Sequence, residues 1–131
     1  MKKKLLPFSI AFLFSIGAFA QNNRKVNFDN DWLFHKGASQ GAEKNSFNDA
    51  AWRKIDLPHD WSIEDLEGTQ SPFNPDAINQ VSGGFTTGGT AWYRKSFMVV
   101  AQNKGKKIQL EFEGIYMNAD IWINGIPLGN H

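Results

Sequence analysis

The 131-residue sequence contains no cysteine. A disulfide is therefore excluded, and so is a lipid anchor on an N-terminal cysteine. Histidine is scarce, and His35, His59 and His131 are too dispersed for the spacing of a metal-binding motif. We expect no metal and no other cofactor. The folded part of the chain must depend on an apolar core for its stability.

An excess of one charge is also missing. The chain has 14 basic and 13 acidic residues, and both signs are interspersed along it. A nucleic-acid-binding domain or a domain that binds an anionic membrane surface usually carries a basic patch. The composition gives no reason to expect either partner.

The sequence also lacks an apolar run of the ~20 residues that a membrane-spanning helix needs. The longest run, Leu5–Ile16, is interrupted by Pro7 and follows three lysines. A basic start, a short apolar stretch and a small-residue site ending at Ala20 are typical of a secretory signal peptide. We expect residues 1–20 to be removed, which leaves a secreted or periplasmic domain with no membrane attachment.

The sequence patterns of the remaining 111 residues indicate short β-strands. Lys107–Glu113 alternates apolar and polar side chains, as in a half-buried strand. Asn124-Gly125 lies between two apolar runs and predicts a hairpin with a type I′ turn. The other strands are predicted in the segments Trp32–His35, Arg53–Leu57, Trp92–Val100, Ala119–Ile123 and Ile126–Leu128.

Helical patterns are short or absent. Asp49–Trp52 could form one helical turn, and Glu67–Gly89 is rich in Gly, Pro, Ser, Thr and Asn, which predicts a long ordered loop. Short strands separated by polar turns favour a single all-β sandwich.

Four stretches, in this order, resemble the N-terminal sugar-binding domain of glycoside hydrolase family 2, the β-galactosidase-like enzymes. They are Phe47–Trp61, Gly89–Phe97, Phe112–Ala119 and Trp122–Gly125. The resemblance implies a galactose-binding-domain-like jelly roll over residues 21–131, placed ahead of an immunoglobulin-like domain and a catalytic TIM barrel.

The sequence departs from the family pattern at Ala91, where glycine is common, and at Val100, where a proline often follows the strand. It also stops at His131, soon after the predicted hairpin. In the family the domain continues, so the resemblance implies an incomplete sandwich that lacks its last strands. Unpaired strand edges and uncovered apolar faces are then expected.

Catalytic residues are not expected in this chain. Glycoside hydrolysis commonly needs two carboxyl groups, and the resemblance assigns both to glutamates of the barrel. No signature gives that role to the acids between Asp60 and Asp76.

The most distinctive motif is Leu57–Trp61, for which two interpretations remain open. His59 and Asp60 could bind sugar hydroxyls, with Trp61 as a stacking platform. Alternatively, Trp61 fills one end of the sandwich while His59 and Asp60 form local hydrogen bonds.

Other polar and aromatic residues have similar alternatives. The amides of Asn79 and Gln80, in the long loop, suit carbohydrate hydroxyls, but the loop could equally be a connector packed on the barrel. Trp122 is expected to be buried, although stacking on a sugar is conceivable. Arg94 and Lys95 are expected on a solvated strand face or at an interface.

The prediction is therefore a carbohydrate-binding domain fragment of a secreted glycosidase, with β-galactosides or related glycans as partners. It would pack on the catalytic barrel and would be inactive alone. One alternative is a stand-alone carbohydrate-binding module without an enzyme, and another is a purely structural or interaction domain.

Overall fold

The computed structural model describes residues 25–131. These residues are all-β, and no α-helix occurs among them. In the same range no helical segment reaches the length and apolarity of a membrane span. The predicted signal peptide, residues 1–20, lies outside the described residues.

A three-stranded antiparallel sheet forms the larger unit. Strand β1 (Trp32–Lys36) lies between β2 (Arg53–Ile55) and β3 (Ala91–Arg94). Phe34 is the partner of Arg53 on one side and of Tyr93 on the other. Because side chains alternate along β1, Trp32, Phe34 and Lys36 share one face of the sheet. Trp32 and Phe34 are buried there.

A second, two-stranded sheet contains β4 (Asp120–Ile123) and β5 (Ile126–Asn130). The predicted hairpin is confirmed: Asn124 and Gly125 form its turn with φ of 53° and 78°. Positive φ at both positions is what a type I′ turn requires. Strand β5 runs two residues beyond the predicted Ile126–Leu128.

The indole rings of Trp92 and Trp122 stack between the two sheets, with centroids 5.4 Å apart. Trp122 is half-buried rather than buried as predicted, and one face of its ring stacks on Trp92. The Nε1–H group of Trp92 is buried without a hydrogen-bond partner among the described residues.

Three predicted strands differ from the structure. The strand predicted over Arg53–Leu57 ends at Ile55, and the strand predicted over Trp92–Val100 ends at Arg94. The segment Lys107–Glu113, also predicted as a strand, forms none. No backbone hydrogen bond joins residues 107–118 to any other described residue. An alternating pattern provides an apolar face, but a strand also needs a hydrogen-bonded neighbour.

The long loop from Glu67 to Gly89 is ordered, as predicted, and two segments within it are joined to each other. Phe73 and Thr86 form an isolated antiparallel bridge, and the amide of Asn74 donates to the carbonyl of Phe85 over 2.7 Å. A 3₁₀ turn covers Gln80–Gly83.

Arg94 and Lys95 are predicted on a solvated strand face or at an interface, but in the structure both pack against other segments of the same chain. Both side chains are half-buried. Arg94 Nε donates to Asp49 Oδ2 over 2.9 Å, and its Nη1 donates to the carbonyl oxygens of Ala42 and Lys44. Lys95 donates to a backbone carbonyl and lies 4.8 Å from the centre of the Phe28 ring. The rings and carbonyls that these cations contact come from distant segments.

The core of the described residues is small: its buried apolar side chains are Trp32, Phe34, Ala42 and Ala77. Many other large apolar side chains are exposed, including Met98, Val99, Ile108 and Phe112. An open cleft of about 1730 Å³ is lined by residues 25–29, 57–59, 95, 97–100, 103 and 106–114.

Candidate functional site

The candidate site lies on the buried face of the three-stranded sheet. Arg53, Phe34 and Tyr93 form one row across β2, β1 and β3, because they are directly paired in the strand register. The guanidinium carbon of Arg53 lies 5.0 Å from the centre of the Phe34 ring. This row forms a floor that is aromatic in the middle, cationic at one end and phenolic at the other.

His59 lies on this floor. Its ring packs edge-on against Phe34, with centroids 4.7 Å apart, and its Nδ1 atom lies 2.8 Å from the Tyr93 hydroxyl. On the other side, its Nε2 atom lies 2.7 Å from Glu64 Oε1. The His59 side chain is only 13% exposed.

The partners of His59 determine how a neutral ring is protonated. An ionised carboxylate only accepts hydrogen bonds, so the proton must be on Nε2, facing Glu64. Nδ1 then accepts from the Tyr93 hydroxyl. Arg53 Nη2 donates to the same Glu64 oxygen. Tyr93, His59, Glu64 and Arg53 thus form one continuous hydrogen-bonded network that runs from a phenol to a guanidinium.

The surroundings shift the pKa values of two residues in this hydrogen-bonded network, Tyr93 and Glu64. Burial raises the pKa of Tyr93 to about 12, and the negative charges of Asp60 and Glu64 add to that effect. Burial would also raise the pKa of Glu64, but hydrogen bonds from His59 and Arg53 outweigh it and the pKa is lowered. Tyr93 is therefore a neutral donor and Glu64 a charged acceptor near neutral pH.

Asp60 begins a 3₁₀ turn, Trp61–Ile63, that follows His59. Its Oδ1 atom accepts from the backbone amide of Ser62 over 2.9 Å and from the Ser62 hydroxyl over 2.6 Å. These two bonds lower the pKa of Asp60. Its Oδ2 atom has no hydrogen-bond partner among residues 25–131 and remains available to a ligand.

Lys36, at the end of β1, connects the Trp61 turn to the long loop. Its ammonium group lies 5.0 Å from the centre of the Trp61 ring and donates to the Thr87 hydroxyl over 3.2 Å. One face of the half-buried Trp61 ring is therefore beside a cation.

Asn79 and Gln80 lie in the exposed part of the same loop. Their side-chain amides form no hydrogen bond with another described residue. The backbone is more constrained, since the carbonyl of Asn79 accepts from Ser82 Oγ and from the amide of Gly83. The two amides form no hydrogen bond to His59, Asp60 or Trp61, so the five predicted residues do not form one hydrogen-bonded cluster.

The local hydrogen bonds predicted for His59 and Asp60 are present, although Trp61 packs with Lys36 at the surface. Sequence reasoning missed Arg53, Glu64, Tyr93 and Lys36. One signal was available: the alternation of Trp32–Lys36 places Lys36 on the face of Phe34. No sequence signal was available for Glu64, because the sequence does not indicate that its carboxylate lies next to His59.

No three His, Cys, Asp or Glu side chains between residues 25 and 131 lie close enough together to hold a metal ion. The site offers hydrogen-bonding groups and an aromatic ring instead, a combination that suits a polyhydroxylated ligand.

Comparison with known proteins identifies the relatives of this chain, although no family model matches it. It is 41% identical over 115 residues to a beta-galactosidase of Bacteroides ovatus, covering 88% of this chain and 13% of that protein. It is 35% identical over 105 residues to a putative beta-glucuronidase of Formosa agariphila, covering 80% and 10%.

Solved structures give the same result. A glycosyl hydrolase family 2 member from Bacteroides cellulosilyticus superposes with a TM-score of 0.75 at 59% identity, over 79% of this chain and 13% of that one. A beta-glycosidase from Bacteroides vulgatus superposes with a TM-score of 0.71 at 42% identity, over 80% and 13%. The chain therefore spans only about one tenth to one eighth of the length of these relatives. The resemblance found in the motifs is confirmed, and the chain is related to a segment of the family 2 glycoside hydrolases.

Proposed function

We propose that this chain is the N-terminal carbohydrate-binding domain of a secreted glycoside hydrolase that acts on β-galactosides or related glycans. The observation that carries the proposal is the 59% identity, with a TM-score of 0.75, to a solved family 2 protein. The catalytic carboxylates would be supplied by another domain, against which this one packs. Its jelly-roll topology is part of the same proposal.

The sugar-binding surface is assigned to the predicted residues His59, Asp60, Trp61, Asn79 and Gln80, together with Lys36, and all of them except His59 contact the sugar directly. Sugar rings stack on indole faces, and Trp61 is half-buried with Lys36 beside it. The free Oδ2 atom of Asp60 can accept from a sugar hydroxyl, while the amides of Asn79 and Gln80 can both donate and accept. His59 has both ring nitrogens engaged, so its contribution is to hold this turn in place.

Calorimetric titration of the purified chain with methyl β-galactoside tests the binding proposal. We expect weak but measurable binding, which Trp61→Ala abolishes and Trp61→Phe partly retains. Asn103→Ala, an amide truncation in another loop, is the matched control and should bind like the parent chain. If a folded parent chain binds no galactoside, glucuronide or galactose, the sugar-binding role is wrong.

The absence of catalysis has a separate test, the hydrolysis of a chromogenic β-galactoside. We expect no turnover above a buffer control. Turnover that survives purification would show that the chain itself carries a catalytic pair.

Export is tested in a bacterial host by mass spectrometry of the product outside the cytoplasm. The expected mature protein begins at Gln21. A product that retains Met1–Ala20 would contradict the proposed signal peptide.

A further inference from the structure

The segment His59–Glu64 carries Asp60 and Trp61 of the proposed sugar-binding surface, and its two end residues are in contact. His59 Nε2 lies 2.7 Å from Glu64 Oε1. Within this closure, the backbone amide of Glu64 also donates to the carbonyl of Trp61. The six residues therefore form a small loop that is closed on itself, with Trp61 inside it.

The two residues that close this loop are anchored to the three-stranded sheet. The His59 ring packs on Phe34 of β1, and its Nδ1 atom meets the Tyr93 hydroxyl of β3. Arg53 of β2 donates to the Glu64 carboxylate. The side chains of His59 and Glu64 are 13% and 33% exposed. All three strands thus hold the closure in place.

We propose that Glu64 is a positioning residue for sugar binding. Through its contact with His59 it closes the loop and holds the Trp61 ring in the orientation on which a sugar stacks. This inference rests on the proposed sugar-binding function, and Glu64 itself does not touch the sugar. A side chain that is already held in its binding orientation loses less conformational freedom when the ligand arrives. Glu64 therefore raises the affinity from outside the contact surface.

The side-chain closure is stronger than the backbone bonds of the turn it surrounds. The Glu64 carboxylate accepts from the His59 ring and from the Arg53 guanidinium, and hydrogen bonds to ionised groups are about twice as strong as neutral ones. The backbone bond from Glu64 to Trp61 spans 3.4 Å, which is long for an amide and a carbonyl. The 3₁₀ turn has only three residues. Loss of the Glu64 carboxylate should therefore loosen the turn.

The position of the Trp61 ring can be followed from a neighbour outside the loop. The Lys36 ammonium lies 5.0 Å from the centre of that ring. Lys36 belongs to β1, so its backbone is held by the sheet and not by the loop. Protons beside the face of an indole have NMR signals that are displaced by the ring current. The displacement of the Lys36 signals therefore reports the position of Trp61, with or without a sugar.

Calorimetric titration with methyl β-galactoside compares the affinity of the parent with that of three variants. Glu64→Met removes the acceptor but keeps a side chain of similar length, and we expect about tenfold weaker binding. Glu64→Gln keeps an uncharged acceptor and should fall between the two. Glu67→Met is the matched control, because Glu67 is exposed and forms no ion pair or side-chain hydrogen bond with another described residue. Circular dichroism checks that each variant is folded at the titration temperature.

NMR spectra of the same proteins without sugar test the closure directly. The Nε2–H proton of His59 is bonded to Glu64 and half-buried, so it should exchange slowly enough with water to give a signal in the parent. The signal should persist in Glu67→Met and disappear in Glu64→Met. The ring-current displacement of the Lys36 signals should shrink in Glu64→Met as the Trp61 ring leaves its place.

Either of two results would overturn the positioning role. One is a folded Glu64→Met that binds the galactoside as tightly as the parent. The other is a Glu64→Met spectrum in which the His59 and Lys36 signals are those of the parent. Failure of the sugar-binding function itself looks different, because the parent would then bind no sugar. The role of Glu64 in binding would fall with it, while the His59 signal would still show whether Glu64 closes the loop.

Discussion

The Nδ1 atom of His59 lies 2.8 Å from the hydroxyl oxygen of Tyr93, which joins the loop after β2 to the middle of β3. The two residues are separated by 34 positions in the chain. Their bond fixes the start of the Trp61 turn on the sheet, and the Glu64 and Arg53 bonds hold the same turn from its other side. The proposed sugar-binding surface is thus supported by a polar network, not by a large core.

Tyr93→Phe removes the hydroxyl of this pair and keeps the ring. His59 Nδ1 then loses its donor in a half-buried position, and we expect the free energy of unfolding to fall by about 1–2 kcal/mol. Urea denaturation followed by tryptophan fluorescence measures the change. Tyr116→Phe is the matched control, because Tyr116 is 92% exposed and should tolerate the substitution. Equal stability of Tyr93→Phe and the parent would show that the bond has no structural role.

Glu64 predicts a pH dependence with a defined sign. Its pKa is lowered in the folded chain, so the charged form stabilises the fold above the ordinary pKa of a glutamate. This contribution is lost as the pH falls through the folded-state pKa. Glu64→Gln should therefore destabilise the chain at neutral pH and make little difference in strong acid.

Unfolding of the parent and of Glu64→Gln, measured from neutral to acid pH, tests this expectation. Glu67→Gln serves as the control, because Glu67 is exposed and forms no ion pair or side-chain hydrogen bond with another described residue. A stability difference between parent and Glu64→Gln that stays constant across the range would contradict the assigned linkage.

Local sequence signals predicted the parts of the fold that depend on local chemistry. Asn124-Gly125 could be interpreted directly, because few other dipeptides tolerate positive φ twice. The core strand Trp32–His35 was also found, to within one residue. Lys107–Glu113 was misassigned because strand formation depends on a partner elsewhere, and the alternating pattern contains no information about that partner.

The candidate site was predicted only in part for a related reason. His59 and Asp60 stand out in a distinctive motif, and the short-range bond from Asp60 to Ser62 is typical of such residues. Tyr93 and Arg53 reach His59 only because they are paired with the same residue of β1. That row is created by strand register, which a single sequence does not specify.

Gly125→Val tests the hairpin turn. Gly125 has φ of 78°, and a side chain there would meet only an ordinary contact, the carbonyl oxygen of Glu43 at 3.6 Å. The cost is therefore conformational, about 1–2 kcal/mol for a β-branched residue in the left-handed region. Gly114→Val is the control, because Gly114 has open space and no positive φ. Thermal unfolding of both variants should show a loss for Gly125→Val alone.

Arg94→Met tests the most connected cation of the described residues. It removes the bonds to Asp49 and to the carbonyls of Ala42 and Lys44 but keeps a long apolar side chain over Phe47. Leaving the Asp49 carboxylate without its cation should cost about 2–3 kcal/mol, since hydrogen bonds to charged groups are among the stronger ones. Arg94→Lys should recover only part of this loss, because an ammonium group cannot reproduce the planar, divergent donors of a guanidinium.

Denaturant unfolding of Arg94→Met, Arg94→Lys and an exposed control, Lys104→Met, ranks these effects. The expected order of stability places the parent and Lys104→Met highest, Arg94→Lys next and Arg94→Met lowest. If Arg94→Lys matched the parent, charge alone would account for the role of this residue. Arg94→Met at parent stability would instead mean that the segment from Ala42 to Asp49 is held against the sheet by its aromatic contacts, with Phe47 and Trp52 as the groups to substitute next.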